Sequence, residues 1–310
     1  MATIVISEFM DEAAIREHLA GFDVLYDPKL VDDPPRLQAA LADARALVVR
    51  NRTQVRPALL AHAPKLECVG RLGVGLDNID VDACRARGIA VYPATGANDL
   101  SVAEYVITAA LVLLRRAWYA TDAVIAGKWP RMALIGRELS GRRLGLVGYG
   151  AIARETAARA RALGMTVTAY DPHLPADHAA WRDAERATLD ALLASADVVS
   201  LHVPLTDETR HMIGARALAR MKPDAILVNA ARGGVVDEAA LAAALRAKRL
   251  GGAALDVFEA EPLDAAGGAK FAGLENLILT PHVAGVTEES NVRVSAVTAA
   301  AVRRHLGGAA

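Results

Sequence analysis

Leu144-Gly145-Leu146-Val147-Gly148-Tyr149-Gly150-Ala151-Ile152-Ala153 is the stretch on which the fold turns. Its apolar half reads as a buried strand. The run after it reads as a helix, with Ile152, Thr156, Arg159 and Leu163 at helical spacing. Between them lies G-x-G-x-x-A, a permitted form of the dinucleotide fingerprint. Gly148 lets the chain turn sharply, Gly150 lets backbone approach a pyrophosphate, and Ala153 is small enough for helix and strand to touch. Ala151 and Ile152 open the helix, whose unpaired N–H groups face the phosphates. A second strand, Met165 to Tyr170, ends at Asp171, 21 residues past Gly150. A carboxylate there is expected to bond an adenosine ribose and to repel a 2′-phosphate, so NAD is expected rather than NADP.

The chain around this stretch has 310 residues, 53% of them hydrophobic and 23% charged, enough for two ordinary domains. A net charge of −1, with Lys and Arg dispersed, argues against nucleic acid or a membrane surface as partner. Cys68 and Cys84 stand in no metal-ligand spacing, so no metal is expected and both read as buried thiols in a reducing compartment. Ile4-Val5-Ile6 is already strand-like, leaving no signal peptide ahead of it. Val102 to Leu114 is interrupted by Glu104 and too short to span a bilayer. A soluble cytoplasmic protein is expected.

Strand and helix patterns alternate through the whole chain. Strands are expected at 3–7, 22–26, 46–49, 67–70 and 89–92, with helices at 11–20, 36–42, 57–61 and 79–87 between them. A long helical run over 97–116 precedes the fingerprint. Six further strands follow at 144–147, 167–170, 198–202, 225–229, 252–256 and 277–280, and a helix over 293–305 closes the chain. Such alternation predicts an α/β protein of two Rossmann-like, doubly wound parallel-sheet domains. The boundaries expected are 1–96 with 285–310 for one domain and 97–284 for the other. The first is flavodoxin-like and holds substrate; the second binds NAD.

Ligands of open α/β sheets bind at the carboxyl ends of strands. Arg232-Gly233-Gly234 follows the strand ending at Asn229, Asp256 ends the next, Glu259 and Glu261 come shortly after, and His282 follows Leu279-Thr280-Pro281. Reducing a 2-keto acid leaves negative charge on the carbonyl oxygen, so a protonated imidazole must donate there; His282 suits that role and is the base in the reverse direction. A nearby carboxylate, Glu261, fixes the imidazole's tautomer. Arg232 supplies a planar fork for the substrate carboxylate. Glu259 reads as a solvated acid, His202 as structural, His173 and His178 as surface residues, and Trp129 and Trp181 as packing residues. The loop 265–270 suggests no function.

LVVRNRTQV, GRLGVGLDNID, NDLSVAEYVI, GRRLGLVGYGAIA, YDP, LHVPLT, NAARGGVVDE, ALDVFEAEPL and LTPHVAG, in that order, resemble the D-isomer-specific 2-hydroxyacid dehydrogenases over nearly the whole chain. The likeness is greatest to the 3-phosphoglycerate dehydrogenase branch, in a short form without room for a C-terminal regulatory domain. The resemblance implies Arg232, Glu261 and His282 as catalytic residues. It implies a cofactor site of Gly148, Gly150, Ala151, Ile152, Asp171, His202, Pro204, Thr209, Ala230, Arg232, Asp256, His282 and Gly285, with Asp256 on the nicotinamide carboxamide. It implies backbone amides of Gly73, Val74 and Gly75 on the substrate carboxylate, an anion nest, and Arg50 and Arg71 on the substrate's far anion. A homodimer through the NAD-binding domain is the family expectation, and Met132 to Arg137 could contribute to its interface.

Asn98-Asp99-Leu100-Ser101 departs from that branch's Asn-Ser/Thr pattern and puts an acid near the proposed anion pocket. The substrate expected is therefore a small 2-hydroxy acid with a second anion: a phosphate, as in 3-phosphoglycerate, or a sulfonate, as in 3-sulfolactate. Glyoxylate or hydroxypyruvate reduction is the alternative if Arg50 and Arg71 pair with acids; Arg52 could equally sit in an ion pair. A binding module that senses NAD is the alternative of another class, disfavoured by the retained Arg232, Glu261 and His282. A formate-type enzyme would pair the histidine with Gln, not Glu.

Overall fold

The computed structural model describes residues 3–307. Two compact units emerge, Met1–Asn98 with Val286–Ala310 and Asp99–Gly285. In the first, β1 (Ile4–Ile6), β2 (Val24–Tyr26), β3 (Ala46–Val49), β4 (Cys68–Arg71) and β5 (Ala90–Pro93) form a parallel sheet in the order β2-β1-β3-β4-β5. This is the flavodoxin-like order. β1 and β3 are buried throughout, as unbroken apolar runs in a helix-covered parallel sheet should be.

The last helix, Glu288–His305, lies on this sheet. A Cβ on Gly70 of β4 would stand 2.7 Å from Thr298 Cγ2 and 2.9 Å from Val302 Cγ2, so only glycine admits the helix at this distance. The helix begins five residues before its expected start at Arg293. Its first turn, Glu288-Glu289-Ser290-Asn291, is polar and shows no apolar period. Its start is fixed by a capping box between Thr287 and Ser290.

In the second unit β6 (Arg143–Val147), β7 (Thr166–Tyr170), β8 (Glu185–Arg186), β9 (Val198–Leu201), β10 (Ile226–Asn229), β11 (Gly252–Leu255) and β12 (Leu277–Leu279) are all parallel. Their order is β12-β11-β10-β9-β6-β7-β8. Numbered from β6 this is the doubly wound 3-2-1-4-5-6 arrangement with one strand added, and the order reverses between β6 and β9. Six strands were expected here. The one missed, β8, is two exposed residues long at the sheet edge, with no apolar signal to find.

The helix Ala151–Ala162 follows the fingerprint. It buries Ala153, Thr156, Ala157 and Ala160, a narrow face of small side chains, and not the wider 152/156/159/163 stripe; Leu163 is 43% exposed. Small residues let it pack closely beside the helix Asp99–Arg115. Trp181 packs as expected, stacked on Tyr149 with ring centroids 5.4 Å apart. Trp129 does not: it is 79% exposed, beside other bare apolar side chains in 118–135. No helix among the described residues is long and apolar enough to cross a membrane.

Candidate active site

The fingerprint turn is built for close approach. Gly148 has φ 87°, and a Cβ there would meet the His202 carbonyl oxygen at 2.5 Å. Gly150 caps the helix with no side-chain bond, and a Cβ on it would meet nothing within 4 Å. The backbone at Ala151 and Ile152 therefore opens a helix N-terminus onto clear space, as a pyrophosphate requires. Asp171 lies at the end of β7. Its Oδ2 accepts from the Tyr149 amide (2.9 Å), and its Oδ1 accepts from the amides of His173 (2.9 Å) and Leu174 (3.1 Å). The acid is thus fixed in direction by the chain's own amides.

His202 has its Nε2 3.0 Å from Ser200 Oγ, and burial pushes its pKa down to about 4. The ring is clamped within the turn after β9. Thr209 Oγ1 donates to the Pro204 carbonyl (2.6 Å) and closes the loop after β9. Ala230 directly follows β10, and His173 and His178 are exposed.

The reactive side chains converge at the ends of β10, β11 and β12. Glu261 Oε2 lies 2.7 Å from His282 Nδ1, and Glu261 Oε1 accepts from the Phe258 amide (3.0 Å). Burial works to raise the Glu261 pKa, but the bonds from His282 and Phe258 and the charges of His282 and Arg232 hold it below the ordinary value. Nδ1 is committed to Glu261, which leaves Nε2 to exchange a proton with a ligand. Arg232 stands half-buried after β10, its Nη1 donating to the Ala231 carbonyl (2.5 Å), and Asn229 Nδ2 donates to the Arg232 carbonyl (2.9 Å). A Cβ on Gly233 would stand 1.7 Å from the Phe258 carbonyl oxygen, so this glycine lets the arginine loop lie against the Glu261 loop.

Two acids are tied into the fold more than the sequence announced. Asp256 spends most of its carboxylate on the chain itself. It is 1% exposed, and its carboxylate accepts from Thr280 Oγ1 (2.6 Å) and the amides of Val283 and Ala284 (both 2.8 Å). It holds the loop that carries His282, whose backbone has φ 55°. The loop crosses back over its own strand end, so the nearest donors belong to the chain itself. Glu259 is exposed but not merely solvated: its Oε1 accepts from the Glu238 amide (3.1 Å) and faces His211 Nε2 (3.2 Å). Glu238, 3% exposed, returns the bond to the Glu259 amide (2.6 Å) and pairs with Lys270 (2.7 Å). The segment 265–270 therefore contributes an ion pair that braces the Glu261 loop.

In the first unit Glu8, at the end of β1 and 4% exposed, does what no sequence signal announced. Its Oε1 accepts from the amides of Arg50 (2.9 Å) and Thr53 (3.0 Å), and its Oε2 from those of Arg52 (3.0 Å) and Asn51 (3.3 Å). Burial opposes its ionisation, yet these bonds and the Thr53 hydroxyl hold its pKa below the ordinary value. Arg50 is presented on the loop so formed. Its Nη2 donates to Asn291 Oδ1 (2.7 Å), and its guanidinium lies 5.8 Å from the Phe9 ring centroid. Among the described residues no carboxylate forms an ion pair with it.

Arg52 is paired with Asp32. Arg71 donates from Nη1 to the Leu72 carbonyl (2.9 Å) and lies across Gly73, where φ is 145° and a Cβ would fall 1.5 Å from that nitrogen. The expected nest of three amides is reduced: the Gly73 amide donates to the Arg71 carbonyl (2.8 Å). Among the described residues no backbone acceptor takes the amides of Val74 and Gly75. Burial raises the Asp99 pKa, and the charges of Glu155 and Arg154 act on it. Glu8, Phe9 and Asn291 were missed. The strand-end rule that drew attention to Asp256 applies equally to Glu8 and could have flagged it.

An imidazole held by a carboxylate, at strand ends of the sheet that also carries the dinucleotide turn, is the arrangement expected of an NAD-linked α/β dehydrogenase. Residues 107–284 match the family model described as the D-isomer specific 2-hydroxyacid dehydrogenase, NAD binding domain. The chain is 58% identical over 308 residues to an (S)-sulfolactate dehydrogenase of Chromohalobacter salexigens, covering 99% of each. It is 43% identical over 280 residues to a D-3-phosphoglycerate dehydrogenase of Mycobacterium leprae, covering 90% of this chain and 52% of the relative. It thus spans about half the length of that relative. A solved D-lactate dehydrogenase from Aquifex aeolicus, complexed with NAD and lactic acid, superposes with a TM-score of 0.84 at 29% identity, covering 98% of this chain and 95% of that one. The chain belongs to the D-isomer-specific 2-hydroxyacid dehydrogenases and is an NAD-dependent 2-hydroxyacid dehydrogenase.

Proposed function

We propose that the chain oxidises 3-sulfolactate, or reduces the corresponding 2-keto acid, with Arg50 on the sulfonate. Arg50 carries this reading: it is half-buried, held by Asn291 and Phe9 and without an ion-paired carboxylate among the described residues, whereas Arg52 is neutralised by Asp32. One guanidinium with no direct ion pair matches the single charge of a sulfonate better than the nearly double charge of a phosphate monoester at neutral pH. The similarity to an (S)-sulfolactate dehydrogenase supports the same choice. 3-Phosphoglycerate is the second candidate, and glyoxylate or hydroxypyruvate the third. A module that only senses NAD has no use for a proton-exchanging His–Glu pair.

The roles assigned to the chain's own residues are these. His282 Nε2 takes the proton of the C2 hydroxyl in oxidation and returns it in reduction. Glu261 orients the imidazole and fixes its tautomer. Arg232 grips the substrate carboxylate as a fork, with the amides of Val74 and Gly75 as a second hold. Arg71 supports that turn. Gly148, Gly150, Ala151 and Ile152 cradle the pyrophosphate, and Asp171 takes the ribose. Pro204, Thr209, Ala230 and Gly285 line the same cofactor site, with His202 fixing its turn. Bound NAD supplies the acceptor for the hydride that leaves C2.

In the same reading the first compact unit is the substrate-binding domain and the second the NAD-binding domain. The working form is a cytoplasmic homodimer joined through the NAD-binding domain. Exposed Trp118, Ile125, Trp129, Met132 and Ile135 offer an apolar surface for a second copy, and the two free, buried thiols suit a reducing compartment.

The deciding measurement is NAD reduction at alkaline pH with 3-sulfolactate, 3-phosphoglycerate, glycerate and lactate, for the wild type and for Arg50→Ala and Arg71→Ala. A preference for 3-sulfolactate that Arg50→Ala abolishes is expected. Equal use of glycerate or lactate, unchanged in the variants, would remove the anion pocket.

A further inference from the structure

The roles above leave unexplained a short line of hydroxyls behind the His282 loop. Tyr105, on the helix Asp99–Arg115, has its hydroxyl 2.6 Å from Thr280 Oγ1. Thr280 Oγ1 lies in turn 2.6 Å from Asp256 Oδ1. The direction of both bonds follows from elementary bookkeeping. A carboxylate only accepts, so the single hydroxyl proton of Thr280 is spent on Asp256. The Thr280 oxygen is then left to accept, and Tyr105 must be the donor. Burial raises the phenol's pKa, which keeps the donated proton in place.

The carboxylate at the end of this line already holds the amides of Val283 and Ala284, and the Asp256 carbonyl accepts the His282 amide at 2.8 Å. The residues from Thr280 to Ala284 are therefore wrapped round one buried acid, with His282 at the bend and in the left-handed region (φ 55°). A side chain other than glycine or asparagine stays there only when its surroundings over-determine it. Glu261 fixes the imidazole ring; the wrapped loop fixes the backbone from which the ring projects.

We propose that Tyr105 is a positioning residue for His282, acting through Thr280 and Asp256. This rests on the reading of His282 as the proton-exchanging group. Tyr105 touches no ligand in this assignment. It saturates Thr280, so that the threonine hydroxyl keeps a single rotamer and Asp256 keeps its full set of three donors. Removing the phenol oxygen frees Thr280 to turn, and the loop carrying His282 gains a second conformation.

The test compares Tyr105→Phe, Thr280→Val, Thr280→Ser and the double variant Tyr105→Phe/Thr280→Val in the full chain. Two readouts are used: steady-state kinetics with 3-sulfolactate and NAD, and amide hydrogen exchange at Val283 and Ala284 by NMR. Tyr105→Phe and Thr280→Val are expected to lower kcat roughly five- to tenfold, the worth of about one hydrogen bond, with KM within about twofold. The double variant should be no worse than Thr280→Val alone, because the two hydroxyls act in one chain. Thr280→Ser should restore wild-type kcat. Exchange at both amides should rise about tenfold in Tyr105→Phe.

A purely structural role predicts otherwise: lower melting temperature, additive losses and no rescue by serine. Wild-type exchange and kcat in Tyr105→Phe, or additive kcat losses, would overturn the proposal. The exchange readout needs no substrate. If 3-sulfolactate is not turned over, or if His282→Ala retains turnover, the functional reading fails, while the exchange rates still decide the link from Tyr105 to the loop.

Discussion

The two loops that carry the candidate cations of this enzyme are held by the same device with different parts. In the first unit the loop 50–53 closes on Glu8, which takes four backbone amides and so presents Arg50. In the second the loop 280–284 closes on Asp256, which takes two amides and one hydroxyl and so presents His282. Both acids are buried strand-end residues at 4% and 1% exposure. A buried carboxylate is costly unless its lone pairs are filled, and here filling them shapes a loop. The grip on Arg50 is mainly backbone, four amides with the Thr53 hydroxyl beside them. The grip on His282 includes a threonine, has a tyrosine behind it, and holds a left-handed residue. In the roles proposed for them, a cation that binds tolerates some slack and a group that moves a proton does not.

The sharpest way to break this comparison is Asp256→Ala. It orphans the amides of Val283 and Ala284 and the Thr280 hydroxyl, each worth roughly 1–3 kcal/mol when left unsatisfied. Turnover is expected to fall at least about a hundredfold, as a misplaced catalytic group should cause. Retained turnover would show that the loop needs no clasp.

Glu8→Gln should have a smaller effect of a different kind. The amide nitrogen of Gln would face two donor N–H groups, and the loop carrying Arg50 would shift. KM for 3-sulfolactate is expected to rise roughly tenfold, with kcat within about twofold. If both variants change kcat and KM alike, the two loops do not divide binding from proton transfer.

The smallest effect is on stability against pH. His202 titrates at about 4 in the fold against 6.5 for the free group. The unfolded chain therefore binds the extra proton first, and stability falls as pH drops from 6.5 toward 4. Glu8 and Glu261 are held below their ordinary 4.5, so their stabilisation is complete above that value and is lost as pH falls through their folded values. Melting temperature should thus decline in two stages on acidification. His202→Gln should flatten the first stage and Glu8→Gln part of the second; a curve unchanged in both would contradict the assignment.

Much of this molecule is determined by sequence alone, where the signal is local. The fingerprint marks Gly148, where a Cβ would strike the His202 carbonyl, and Gly150, which opens the helix onto clear space; the unbroken apolar strands mark a parallel sheet in each unit. His282, Glu261 and Arg232 are legible because their positions after strands place them at one sheet edge. Other features depend on partners far away in the chain and could be decided only by the tertiary structure. β8 is a strand because β7 offers it an edge, not because Glu185 and Arg186 favour one. Arg50 and Arg52 look alike in sequence, and only the positions of Asp32, Asn291 and Phe9 make one an ion pair and the other a candidate anion site. Glu8 and Asp256 read as ordinary acids until the loops that donate to them are brought in from 42 to 45 and from 24 to 28 residues away. Hydrogen-bond donors carry no mark in the sequence of the acceptor they will meet, so the clasp becomes visible only when the chain is folded.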